Sequence, residues 1–234
     1  MRQPLSAAAY LASLAGSIAL LRDAAGRADA LGNPVPACPG WNLGALLGHV
    51  GSIERWVAGV LASGAPAPEP EPPAGAEAAW FLDGTDVFLA AMADVDPNRE
   101  CWNFGPRPRT AGFWLRRQAH EHLIHAWDAA AAAGEEAPPV SQDLALDGTD
   151  EVLTMFLPRQ LRLGQLQPVA AAVRFETPGG DAWTVGEGPV RAVVSAPAPE
   201  LYLGLWHRSD LASKGRIEGN QAAAAALLRA PVVP

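Results

Sequence analysis

Asn42-Leu43-Gly44-Ala45-Leu46-Leu47-Gly48-His49-Val50-Gly51-Ser52-Ile53-Glu54-Arg55-Trp56-Val57-Ala58-Gly59-Val60-Leu61 is the stretch from which the fold can be read. Leu43, Leu46, Leu47, Val50, Ile53, Val57 and Leu61 recur three and four residues apart, which makes one apolar stripe along a helix. Asn42 is placed to cap its start, and Ser63-Gly64 marks its end. A striped helix must bury that stripe against partners, and three neighbouring segments offer matching patterns. Leu11, Leu14, Ile18 and Leu21 repeat at helical spacing inside a helix predicted over residues 5–29, between Pro4 and the turn Gly32-Asn33-Pro34. Another is predicted from Glu77 to Asp94, with Trp80, Phe81, Val87, Phe88 and Met92 packing and Asp96-Pro97-Asn98 stopping it. The last runs from Phe113 to Ala133 and closes at Gly134. Residues 64–76, rich in Pro, Ala, Glu and Gly, read as an extended surface linker. Four helices with one long connection predict a four-helix bundle.

Beyond Pro138-Pro139 a fifth helix is predicted from Asp143 to Leu157, after which the pattern changes to period two. Ala172 to Thr177, a Pro178-Gly179-Gly180 turn and Ala182 to Val185 form a predicted hairpin, with Val190 to Ser195 a further strand. Leu201 to Arg208 reads as a short helix, Arg216-Ile217-Glu218 as a last strand and Gln221 to Arg229 as a terminal helix. The expected fold class is therefore α plus α+β: a four-helix bundle followed by a small α+β domain. The expected domains are residues 1–137 and, with the connecting helix, 138–234.

Composition narrows the function. In 234 residues, 49% are hydrophobic and 18% charged, enough apolar side chain for a real core. The 17 basic and 25 acidic residues give a net charge of −8 without a Lys/Arg cluster, which argues against nucleic acid or an anionic membrane as partner. A small neutral or acidic ligand, held by individually placed cations, is expected instead. Cys38 and Cys101 are too few for a disulfide framework or a Cys-based zinc site, so both read as reduced thiols in a cytoplasmic protein. The uncharged run from Gln3 to Leu21 reads neither as a signal peptide nor as a membrane span. Its helical spacing, continued by Arg22-Asp23, fits a soluble amphipathic helix better.

Three of the five histidines cluster in His120-Glu121-His122-Leu123-Ile124-His125. His120 and His125 stand five apart and point to different faces, which excludes the His-Glu-x-x-His helix of zinc proteases. Glu121 and His125, at i and i+4, project from one face and can grip one metal ion, with Asp128 near that face. His49 lies at the edge of the apolar stripe and can supply a third ligand. A His-Glu-His set with one open position is a catalytic zinc arrangement, since structural sites usually close with four protein ligands. The same residues also fit an ordinary bundle, with Glu121 exposed, His125 a satisfied interior imidazole and His49 a packing group. Asp128 reads equally as an acceptor for the second N–H of a ligand imidazole and as a surface acid. Arg55 and Arg117 fit solvated helix faces better than interior sites, and Trp41, Trp56, Trp114 and Trp127 read as core groups. Cys38, at a turn beside Pro39, reads as a packing group.

Val35-Pro36-Ala37-Cys38-Pro39-Gly40-Trp41-Asn42, continuing to Leu46-Leu47-Gly48-His49-Val50, resembles the start of the second helix in the mycothiol-dependent maleylpyruvate isomerase family of DinB-like bundles. Arg116 to Glu121, continuing to His125-Ala126-Trp127-Asp128, resembles that family's fourth-helix metal motif, with Glu121 and His125 at ligand positions and His49 matching the first ligand. Ala198 to Leu201, Leu205 to Arg208 and Arg216 to Asn220 resemble its sterol-carrier-like C-terminal domain. The resemblance implies Zn2+, or another divalent metal, that binds the thiol of mycothiol, a sugar-linked cysteine cofactor. It implies addition of the thiolate to a small electrophile such as maleylpyruvate, rotation about the resulting single bond, and elimination to the trans isomer. Relatives in the wider superfamily use the same activation for S-transfer in detoxification or biosynthesis. Arg208 matches a position that the family places near the cleft, where a guanidinium can hold a carboxylate; a surface cation is the alternative. His207 stands where relatives often have a small residue.

A non-catalytic small-molecule or lipid-binding protein is the competing reading, because the C-terminal domain resembles lipid-carrier modules. An anti-sigma-like zinc regulator is disfavoured, since neither cysteine has the required neighbour. If a zinc-bound thiolate is needed, activity is expected to fall as pH drops through the free-imidazole range, about 6.5.

Overall fold

The computed structural model describes residues 3–169 and 171–234. Met1, Arg2 and Ala170, which fall within the expected domain ranges, lie outside the described residues. The described residues divide into two compact units, residues 5–139 and residues 140–234, the latter joined by residues 3–4.

Four helices build the first unit: α1 (Ala7–Ala25), α2 (Leu43–Ser63), α3 (Glu77–Ala93) and α4 (Gly112–Ala133). Helix α1 is shorter than the predicted 5–29. Ser6 caps it by accepting from Ala9 N–H, and from Gly26 the chain goes into turns. Helices α2 and α4 begin and end close to prediction, α2 capped by the Asn42 side chain and both closed by a glycine in the left-handed conformation, Gly64 and Gly134. Helix α1 packs chiefly on α4 and α2 on α3, while α2 also meets α4. The α2–α3 approach is close at Gly51, where a Cβ would stand 2.9 Å from Trp80 Cδ1 and 3.0 Å from Phe81 Cα. Leu14, Ile18, Val57, Val60, Phe88, Met92 and Trp114 fill one part of the core; Leu21, Leu43, Leu46, Leu47, Val50 and Phe81 fill another.

Val87, expected to pack, is 70% exposed, because Phe81, Thr85, Phe88 and Met92 define the buried stripe of α3 and Val87 falls off it. Trp114 is fully enclosed, the half-buried Trp41 and Trp56 pack against the core, and Trp127 is half-buried.

A buried polar pair ties α2 to α4. His122 Nε2 lies 3.1 Å from Glu54 Oε1, both side chains are wholly enclosed, and the His122 ring stacks on Phe88. His122 Nδ1 faces the Gln118 carbonyl at 2.9 Å, which can only accept, so Nδ1 carries the hydrogen. Burial pushes the Glu54 carboxyl up, with the His122 hydrogen bond and charge pulling the other way. Glu54 Oε2 has no partner. Replacing His122 by leucine therefore strands the other oxygen too, and urea unfolding is expected to show a loss of about 3–5 kcal/mol. Glu54→Gln, which keeps a donor for Nε2, is expected to cost far less.

The second unit starts with α5 (Gln142–Glu151), a π-helical segment (Val152–Phe156) and α6 (Leu157–Arg162), where one helix was predicted to end at Leu157. Pro158 has no N–H to offer the preceding turn, and the Thr154 hydroxyl donates to the Asp150 carbonyl at 2.7 Å. The helix adjusts by a widened turn in which Leu157 N–H reaches Val152 O. Strands β1 (Ala172–Glu176), β2 (Ala182–Val185), β3 (Val190–Ser195) and β4 (Arg216–Gly219) form a sheet of order β2-β1-β3-β4. The β1–β3 pair is parallel and the other two are antiparallel. Helices α7 (Ala198–Leu205), α8 (Leu211–Lys214) and α9 (Gln221–Leu228) complete the unit, with α7 packed on α5 and α9 on β3.

Helix α7 ends in a Schellman turn. Arg208 N–H bonds to Leu203 O and His207 N–H to Gly204 O, which puts His207 in the left-handed region at φ 60. A small residue suits that position because it avoids the Cβ clash that histidine bears there.

Candidate metal centre

Loop residues 33–42, between α1 and α2, and helices α2 and α4 assemble the site. The loop is pinned at both ends: Val35 N–H bonds to Trp41 O, and Asn33 Nδ2 donates to Ala132 O near the end of α4. This sets Trp41 beside His49, with ring centroids 4.9 Å apart, and Cys38 beside Asp128.

His49 from α2 meets Glu121 and His125 from α4. His49 Nε2 lies 3.3 Å and His125 Nε2 3.2 Å from the same oxygen, Glu121 Oε1. One donor atom from each of the three falls within 4.8 Å of the others, and their side chains are 28%, 17% and 11% exposed respectively. Donors around a tetrahedral zinc ion at 2.0–2.2 Å stand about 3.4 Å from one another. The two imidazole-to-carboxylate separations already match that spacing, so the residues present fit a divalent ion.

Asp128 is nearly fully buried rather than a surface acid, and its Oδ2 lies 3.1 Å from His125 Nδ1. Cys38 Sγ donates to the same oxygen at 3.7 Å. Arg117 is also buried, not on a solvated face, and its Nη2 donates to Glu121 Oε2 at 3.0 Å. The sequence carried a signal for this contact, since Arg117 and Glu121 are an i, i+4 pair of opposite charge. It carried none for Trp41 or Cys38, whose placement is tertiary. Arg55 is likewise tied down: its guanidinium lies 3.7 Å over the Trp80 ring and donates to Gly51 O and Trp80 O.

Electrostatics follow the contacts. Burial alone would raise the Glu121 carboxyl, but hydrogen bonds from His125 and His49, with the charges of His125 and Arg117, hold it well below the usual range. Burial alone would lower His125; its hydrogen bonds to Asp128 and Glu121, with their charges, push it up to about 9.

His120 is not part of this set; it is buried edge-on to Tyr10 with ring centroids 6.5 Å apart. Arg208 belongs to the second unit, where it is half-buried and donates from Nη1 to Trp206 O at 2.7 Å. Among the described residues, no helix is long and apolar enough to cross a membrane.

Comparison with known proteins supplies independent findings. No curated protein sequence matches the chain. The crystal structure of the mycothiol-dependent maleylpyruvate isomerase superposes with a TM-score of 0.64 at 13% identity, covering 85% of this chain and 88% of that one. A histidine-to-alanine mutant of the mycothiol-dependent maleylpyruvate isomerase gives 0.67 at 12% identity, covering 92% and 93%. At such identities the likeness shows a shared fold. A family model described as the mycothiol maleylpyruvate isomerase N-terminal domain matches residues 11–130, and one described as the MDMPI C-terminal domain matches residues 143–226. With over half the chain matched by the first model alone, the protein belongs to the mycothiol maleylpyruvate isomerase family, a family of enzymes.

Proposed function

We propose that the protein is a cytoplasmic, zinc-dependent enzyme that uses the thiol of mycothiol to isomerise a small electrophile of the maleylpyruvate type. The observation that carries this reading is the meeting of His49, Glu121 and His125 within ligand distance of one another across two helices. A divalent ion held there supplies positive charge that keeps a bound thiol deprotonated near neutral pH.

The chain's own residues have distinct tasks in this reading. His49, Glu121 and His125 hold the ion, and three protein ligands leave one position for the thiol. Asp128 accepts from His125 Nδ1, which fixes the tautomer so that Nε2 faces the centre. Arg208, from the proposed C-terminal domain over residues 138–234, binds a substrate carboxylate through its guanidinium. The helical domain, residues 1–137, carries the metal centre. A passive carrier needs no such convergence of donors, because its affinity comes from buried apolar area.

The test is turnover of maleylpyruvate and of a panel of electrophiles by the purified protein, with and without mycothiol and with and without a chelator. Turnover is expected to require both mycothiol and the metal. A product that retains the thiol would identify S-transfer instead of isomerisation. Ligand binding with neither turnover nor bound metal would establish a carrier and end the proposal.

A further inference from the structure

We propose that Arg117 is a positioning residue that restricts Glu121 to one ligating oxygen and so keeps the fourth position of the metal centre open. This rests on the metal-centre reading above. The two oxygens of Glu121 have different partners: Oε1 faces Nε2 of both His49 and His125, while Oε2 accepts from Arg117 Nη2 at 3.0 Å. Arg117 and Glu121 are one turn apart on α4, so the contact is set by the helix itself. Arg117 is only 2% exposed, and a charge-assisted hydrogen bond in such a site is among the stronger polar contacts a protein makes.

The consequence concerns coordination number. A carboxylate free to turn can chelate an ion through both oxygens. With two imidazoles, that mode would supply four protein donors, crowd the position left for an outside ligand and raise the coordination number to five once that ligand binds. Engaging Oε2 in a hydrogen bond leaves three donors and an open position.

The test uses the full chain stripped of metal and reloaded with Co2+, whose visible absorption reports coordination number. The wild type is expected to show the intense bands of a four-coordinate ion. In Arg117→Met the bands are expected to weaken several-fold as Glu121 chelates and the coordination number rises. Arg117→Lys, which keeps a charged donor, is expected to recover most of the intensity. An unchanged spectrum in a folded Arg117→Met would overturn the proposal. If that variant does not fold, a crystal structure of the zinc-loaded wild type decides: Oε2 still on Arg117 supports the proposal, and both oxygens on the ion overturn it. Failure of the wild type to bind Co2+ would overturn the metal-centre reading and this proposal with it, a result distinct from the others.

Discussion

His49→Ala is expected to lose bound metal and mycothiol-dependent turnover together. The affinity loss should exceed the roughly 100-fold that removal of an outer partner costs, because a donor itself is gone. His49 is the cleanest of the three ligands to remove. It is the most exposed, so its loss leaves little buried polar surface unpaired. Glu121→Gln is expected to be at least as damaging to activity. It replaces an anionic ligand with a neutral amide and also removes a negative partner of the buried Arg117 guanidinium. A drop in thermal stability should therefore accompany Glu121→Gln and be much smaller in His49→Ala. Metal content by elemental mass spectrometry, turnover and circular dichroism on the three proteins make the comparison. Full turnover in a His49→Ala protein shown to be metal-free would dispose of the proposed chemistry.

Metal affinity is expected to climb about tenfold per pH unit from roughly pH 6.5 toward 9 and to level off above, because the ion must displace the second proton from His125. The sequence suggested a window at the free-imidazole value of about 6.5. The structure moves the His125 part of that window upward, since Asp128 and Glu121 both favour its cationic form. Stability shows the reverse slope. A folded-state value raised above the unfolded one contributes stability that is complete below about 6.5 and is lost as pH rises through about 9. The melting temperature of the chelator-treated protein should thus decline across that range, while the stabilisation on adding zinc grows. Asp128→Asn removes one of the two anions and should shift both curves to lower pH. Isothermal titration and thermal melts at pH 6, 7, 8 and 9 measure this. Zinc affinity independent of pH would contradict the protonation state assigned to His125.

Much of this was written locally in the chain. The stripe from Leu43 to Leu61, the caps at Asn42, Gly64 and Gly134, and the change to period two beyond the fifth predicted helix depend on interactions within a few residues, and helices and strands follow them closely. The pairing of Glu121 with His125 is equally local, because i and i+4 share a helix face wherever the helix lies. What spacing could not supply was whether α2 and α4 meet in the register that brings His49 to Glu121; that depends on how all four apolar stripes pack together. The burial of Arg117 and Asp128 is likewise tertiary. Both read from sequence as acceptable surface residues, and both are enclosed in the fold, Asp128 beside Cys38 of the loop at residues 33–42. Secondary structure and ligand type were therefore fixed by short-range periodicity and residue chemistry. The convergence of the three ligands, the partner of each Glu121 oxygen and the raised affinity of His125 for its proton arise only in the packed bundle, where low dielectric and enclosed geometry make single contacts decisive.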